Sequence, residues 1–186
     1  MKKMFSVFVL ILFLLLITLA AVSGGQDIIR TVTGTVTKIS DGDTIHLETP
    51  EQTILKARLY GIDAPETDKI NNHTGIISIP GQPYGEESKN ALEKKVMGKK
   101  VKLDILDIDK YRRMVGMIYL DGRNINLEMV KEGYAEAFIE YLREPYKKEF
   151  LEAEREARLA KKGIWSMVVY ERPREFRKRL KVRGAE

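Results

Sequence analysis

From residue 28 onward the chain alternates apolar and polar positions, and the period of that alternation sets the elements it predicts. Residues 28–39 (Ile-Ile-Arg-Thr-Val-Thr-Gly-Thr-Val-Thr-Lys-Ile) are rich in β-branched side chains and read as a strand. Asp41-Gly42 is a hairpin turn signal. A second strand over 43–48, a turn at Pro50-Glu51 and a third strand over 53–62 complete a meander. Residues 63–84 show no clear period, and a loop that long in a compact domain is usually functional or disordered. A helix follows over 86–97, with Ala91, Leu92 and Val96 on one face and Gly98 as its stop. Strands over 100–108 and 114–120 come next, then a turn at Asp121-Gly122. Asn126 is expected to cap a short helix ending near Gly133. Pro145 opens a last helix reaching Lys162, and Trp165 packs back on the body after Gly163.

Five strands with one helix after the third is the element order of an OB-fold, a small Greek-key barrel. The predicted class is therefore α+β: a five-stranded OB-fold β-barrel with about three α-helices, preceded by an N-terminal hydrophobic helix. The body spans 28–168, with no repeat and no second domain.

Ahead of it, Met1-Lys2-Lys3 leads into an uncharged apolar run over 4–22, closed by small residues such as Ala20, Ala21 and Ser23. This pattern resembles a signal peptide. As a helix the run would span roughly 28 Å, enough to cross a bilayer. Residues 1–25 are thus a signal peptide or a membrane anchor. Either way Lys2 and Lys3 stay inside, and the body is secreted or held outside the cytoplasm at the membrane.

Composition narrows the chemistry. The chain has 186 residues and no cysteine, which excludes disulfides, thiolate zinc sites and thiol nucleophiles. The net charge of +5 is uneven: Lys2 and Lys3 sit at one end, and residues 171–186 hold seven basic and three acidic residues. Setting those aside leaves 23 basic against 24 acidic residues, so the body is near neutral. The high isoelectric point comes from the ends and is no sign of a nucleic-acid-binding body. The basic tail over 169–186 is either a disordered or frayed helical extension, or a contact for nucleic acid or an anionic lipid surface.

Three short stretches gather acids and arginines. They are Asp41-Gly42-Asp43-Thr44, then Arg58 with Asp63-Ala64-Pro65-Glu66, then Asp109-Lys110-Tyr111-Arg112-Arg113. Alone, the first two are ordinary turns and the third an exposed basic loop. Together they suit phosphodiester cleavage: acids can hold a hard cation and orient water, and arginines can neutralise charge building on a phosphate. In an antiparallel meander Asp43 and Asp63 can be neighbours, and two close carboxylates repel unless a cation joins them. Oxygen donors without cysteine point to calcium or magnesium rather than zinc. Arg58 lies five residues before Asp63. Strict alternation would put the two on opposite faces, unless a twist or bulge relaxes it.

On these pieces the chain resembles the thermonuclease family, the staphylococcal (micrococcal) nuclease-like proteins. The matching segments run from about residue 33 to 165. They are Ile39-Ser40-Asp41-Gly42-Asp43-Thr44, Arg58-Leu59-Tyr60-Gly61-Ile62-Asp63-Ala64-Pro65-Glu66-Thr67, Tyr84-Gly85, Asp109-Lys110-Tyr111-Arg112-Arg113 and Lys162-Gly163-Ile164-Trp165. The resemblance implies an OB-fold and calcium-dependent hydrolysis of DNA and RNA to 3′-phosphate products; the chain is expected to be a monomer. It implies Asp43, Asp63 and the Ala64 backbone carbonyl as calcium ligands, and Glu66 as the group that activates or orients water. It implies Arg58 and Arg113 as the phosphate-stabilising pair, and Lys110, Tyr111 and Tyr141 as nucleotide contacts. Three departures stand out: Arg112 replaces a usual glycine, Ile139 falls near a position where the best-known members carry a substrate-contacting tyrosine, and the loop over 68–82 is long. The competing reading is a non-catalytic OB-fold module for single strands or a protein partner. Such a module has no need to keep Asp43, Arg58, Asp63, Glu66 and Arg113 together.

Overall fold

The computed structural model describes residues 27–71 and 73–183. The expected leader helix lies outside the described residues. β1 (Arg30–Asp41) and β2 (Thr44–Glu48) form a hairpin whose turn is Gly42-Asp43. Asp43 therefore sits in the turn and not at the start of the second strand, as alternation had suggested. A bulge between Val36 and Lys38 resets the alternation of β1. Val36 and Ile39, three residues apart, are consequently both buried.

β3 (Ile54–Leu59) pairs with β2 and stops short of the expected end. The break is at Tyr60-Gly61, where Gly61 adopts φ +75°. A side chain there would be strained and would meet Leu142 Cδ2 at 2.6 Å. Beyond the break, β4 (Ile62–Asp63) leaves the barrel sheet. Across such a break the face-alternation rule does not connect Arg58 to Asp63, which resolves their odd spacing. The long loop holds a small hairpin of β5 (Lys69–Ile70) and β6 (Ile77–Ile79).

Helix α1 (Gly85–Val96) carries Glu86 and Glu87 in its first turn and Lys94 and Lys95 in its last, both favoured by the helix dipole. β7 (Lys100–Ile108), β8 (Met114–Leu120) and the short β9 (Arg123–Asn124) follow. Asn124, not Asn126, caps α2 (Ile125–Lys131), accepting a bond from the Leu127 amide at 3.1 Å. Its extended backbone suits a cap. Asn126 is the second residue of the helix and is fully buried. β10 (Glu136–Ala137) then pairs with β4, setting Glu136 opposite Asp63. α3 (Tyr146–Leu159) ends slightly before the expected Lys162, and Gly163–Ser166 form a 3-10 turn. Trp165 packs back under the Arg158 guanidinium, 3.8 Å from the ring centre, and edge-on to Tyr170.

The barrel closes where β3 pairs in parallel with β8, giving the order β3-β2-β1-β7-β8. That is the predicted five-stranded OB-fold topology. Phe150, Ile45, Leu47, Leu59, Leu92, Leu103 and Ile118 fill the core, each worth about 1.5–3 kcal/mol when fully buried. A fourth helix among the described residues, α4 (Pro173–Arg183), forms from the basic tail and buries Phe176 against the body. Among the described residues no helix is long and apolar enough to cross a membrane.

Candidate active site

The β1–β2 turn, the β3–β4 break and the end of β3 place their polar side chains against one another. Arg58 forks between two acids: Nη1 donates to Asp43 Oδ1 at 2.6 Å and Nη2 to Asp63 Oδ1 at 2.7 Å. Asp43 is 2% exposed and Asp63 0%, so this is a buried pair of carboxylates bridged by one guanidinium. Asp43 has further partners in Thr44 Oγ1 at 3.0 Å and the Ala64 amide at 3.1 Å. The turn leaves no room for a side chain at Gly42, where a Cβ would lie 1.9 Å from Ser88 Oγ. Four of the residues singled out in the sequence, Asp43, Arg58, Asp63 and Ala64, are thus in direct contact or share a partner.

Glu66 is fixed by its backbone. Its amide donates to Gln82 Oε1 at 3.1 Å and its carbonyl accepts from the Gln82 amide at 2.8 Å. Its carboxylate joins the cluster through Arg177. That guanidinium donates to both Asp63 oxygens, at 3.0 and 2.8 Å, and to Glu66 Oε1 at 2.8 Å. Sequence reading missed Arg177, since one arginine in a basic tail carries no local mark of its partner. It also missed Glu136, which is fully buried across the strand pair from Asp63 and chelated by Arg172 Nε at 3.0 Å to each oxygen. A glutamate in a two-residue strand gives no signal of burial.

The acids feel their surroundings. Burial raises the Asp63 carboxyl above its ordinary range, opposed by the Arg177 hydrogen bonds. Half-buried Asp41 is pushed up to about 7, first by desolvation and then by the Asp43 charge. Burial also pushes Glu136 up to about 7, with Arg172 opposing and Asp63 adding to the shift. A carboxyl raised in the folded state binds a proton more tightly there than in the unfolded chain. Stability credited to Glu136 is therefore greatest below about 4.5 and falls as pH rises toward 7. In Glu136→Gln, urea-denaturation stability is expected to fall less over that window than in wild type; identical slopes would refute the assignment.

The third stretch forms a turn of its own between β7 and β8. Asp109 accepts from the Tyr111 and Arg113 amides at 2.9 Å and from Arg113 Nε at 2.7 Å. Burial works against ionisation of Asp109, but the Arg113 contacts outweigh it and hold the carboxyl below its ordinary value. Arg112 adopts φ +62°, a left-handed backbone conformation that suits glycine better than a residue with a side chain. Parallel pairing sets Ala57 beside Met114 and Arg58 beside Val115. Arg113, the residue before β8, therefore sits at the start of the strand next to Arg58, while its guanidinium pairs with Asp109. Tyr111 and Tyr141 are largely exposed, Lys110 is exposed with its ammonium over the Tyr111 ring, and Ile139 is exposed as well.

In donor chemistry the buried acids suit a hard divalent cation. They are carboxylate oxygens, and Asp63 and Glu66 converge on one positive group, the Arg177 guanidinium. Among the described residues no three His, Cys, Asp or Glu side chains are arranged to hold a metal by themselves. A cation here would need backbone or water oxygens as well.

An OB-fold barrel with an arginine-clamped pair of acids, a third acid beside them and a second arginine in the turn leading into the adjoining strand suits phosphodiester cleavage. Comparison with known proteins agrees. The family model described as staphylococcal nuclease homologue matches residues 56–167. A Haemophilus influenzae protein called an uncharacterized endonuclease is 35% identical over 150 residues, covering 81% of this chain and 75% of that protein. The probable endonuclease LCL3 of Komagataella phaffii is 31% identical over 178 residues, covering 80% and 75%. The probable staphylococcal-like nuclease CAN3 of Oryza sativa is 38% identical over 123 residues, covering 66% of this chain and 28% of the plant protein. The chain belongs to the staphylococcal nuclease family, and its enzymatic class is that of a nuclease.

Proposed function

We propose that the protein is a calcium-dependent nuclease, acting outside the cytoplasm, that hydrolyses DNA and RNA and leaves 3′-phosphate ends. The observation that carries this reading is the buried Asp43–Arg58–Asp63 clamp beside Glu66. The carboxylates of Asp43 and Asp63, with the Ala64 carbonyl, would hold the cation. Bound calcium would supply Lewis-acid polarisation and offset the negative charge of the phosphodiester. Glu66 orients a water and takes its proton as the water oxygen bonds to phosphorus. Arg58 and Arg113 face the growing charge on the phosphoryl oxygens. The bond to the 5′-oxygen breaks and that oxygen takes a proton from solvent water, so the phosphate stays on the 3′ side. Lys110 and the exposed rings of Tyr111 and Tyr141 offer charge and stacking surface to the nucleotide. Export is supported by the charged start and the apolar run over 4–22, as a cleaved leader or an anchor.

Incubating the protein with DNA and with RNA tests this directly. Cleavage of both is expected with calcium, the new 5′ ends are expected to accept kinase labelling without phosphatase while the 3′ ends of cleaved DNA become extendable by terminal transferase only after it, and excess EGTA is expected to abolish activity. Full activity in EGTA would sink the calcium reading, and 5′-phosphate ends would sink the assignment of the leaving oxygen.

A further inference from the structure

Arg177 differs from Arg58, the arginine of the clamp, because it reaches the buried acids from α4, more than a hundred residues along the chain. We propose that α4 is a displaceable strap whose Arg177 competes with the divalent cation for Asp63 while it occupies Glu66, so that cation binding and release of α4 are coupled. This rests on the calcium reading above and adds a control on it.

The geometry makes the two occupancies exclusive. Arg177 engages both oxygens of Asp63 and one of Glu66, at 2.8 to 3.0 Å. A hard cation would take such oxygens at about 2.3–2.6 Å, on lone pairs the guanidinium already uses. Two positive groups that close would also repel.

The rest of the strap is built to come away. Its apolar hold is one buried aromatic, Phe176, with Pro173 beside it. The polar contacts divide: Arg172 on buried Glu136 and the Gln82 side-chain amide on the Glu171 carbonyl at 2.9 Å anchor the root ahead of α4, while Arg174 on Glu140 belongs to α4 itself. Arg174 and Glu140 are exposed, so that pair is weak and screened by salt. Gln82 also grips the Glu66 backbone, which ties the root of the strap to the acid that Arg177 reaches.

Calcium chloride titrated calorimetrically into the full chain, kept in mild detergent, tests the coupling. Arg177→Ala is expected to bind calcium roughly tenfold more tightly than wild type, a usual size for coupling between sites. Arg177→Lys is expected to fall between, since lysine keeps the charge but loses the two-pronged geometry. In wild type, added calcium is expected to speed amide exchange over 173–183 while the barrel strands stay protected. This arm needs no variant, so misfolding of Arg177→Ala would not shield the proposal. Equal calcium affinity in all three proteins would overturn the strap and leave the calcium reading standing. Unchanged exchange in α4 with calcium bound would do the same. No calcium binding by any of them would overturn both.

Discussion

Arg58→Ala is expected to slow plasmid cleavage by roughly 10² or more, the usual loss for a preorganised group that stabilises transition-state charge. The same change is expected to destabilise the fold by about 3 kcal/mol or more when measured in chelator, because it strips the bridging cation from two buried carboxylates. Asp43 and Asp63 side chains are 3% and 0% exposed, so water cannot replace the lost guanidinium at either. Arg177 still covers Asp63, which leaves Asp43 to bear most of the loss. Arg113→Ala separates the two effects. Its partner Asp109 sits in a partly exposed turn, so activity is expected to fall comparably while stability changes by about 1 kcal/mol or less. Urea denaturation alongside a nicking assay reads both. Wild-type cleavage by either variant would remove that arginine from the proposed chemistry, and an unchanged urea midpoint in Arg58→Ala would contradict the buried clamp.

The second large effect concerns a residue with no part in the chemistry. Asn126 accepts from the Ile118 amide at 3.0 Å and donates to the carbonyls of Tyr60 and Gly116 at 2.9 and 3.0 Å. These bonds stitch α2 to the seam where β3 meets β8, just beyond Arg58. Asn126→Ala removes three buried hydrogen bonds at once and is expected to cost about 3 kcal/mol or more. For a chain of this size that corresponds to a melting temperature lower by roughly 6–12 °C. Asn126→Asp, which keeps the acceptor but sets a buried carboxylate oxygen against those two carbonyls, is expected to cost at least as much. A melting temperature within a degree of wild type for Asn126→Ala would show that the seam is held by packing alone.

Much of this architecture was legible before any coordinates. The two-residue period, the Asp-Gly turn and the Gly98 stop act over a few residues, so five strands and the helix after the third could be read in order. The charged motifs around Asp43, Arg58, Asp63 and Arg113 were equally visible, because their spacing follows the turns that present them. Errors fell where a local pattern has two solutions. Asn124 and Asn126 both suit a cap, and only burial of the second decides between them. The strand through Arg58 reads as continuous to Ile62, yet Gly61 breaks it because Leu142 fills the space a side chain would need.

By itself, then, the amino-acid order determined the barrel class, its strand order and the set of acids and arginines available for chemistry. Tertiary structure alone decided which of them meet: Arg58 between Asp43 and Asp63, Glu136 behind Asp63, and Arg177 across Asp63 and Glu66. The physical reason is that periodicity and turn preference are short-range, whereas an ion pair forms wherever barrel closure and helix docking bring opposite charges within about 3 Å, whatever the length of chain between them.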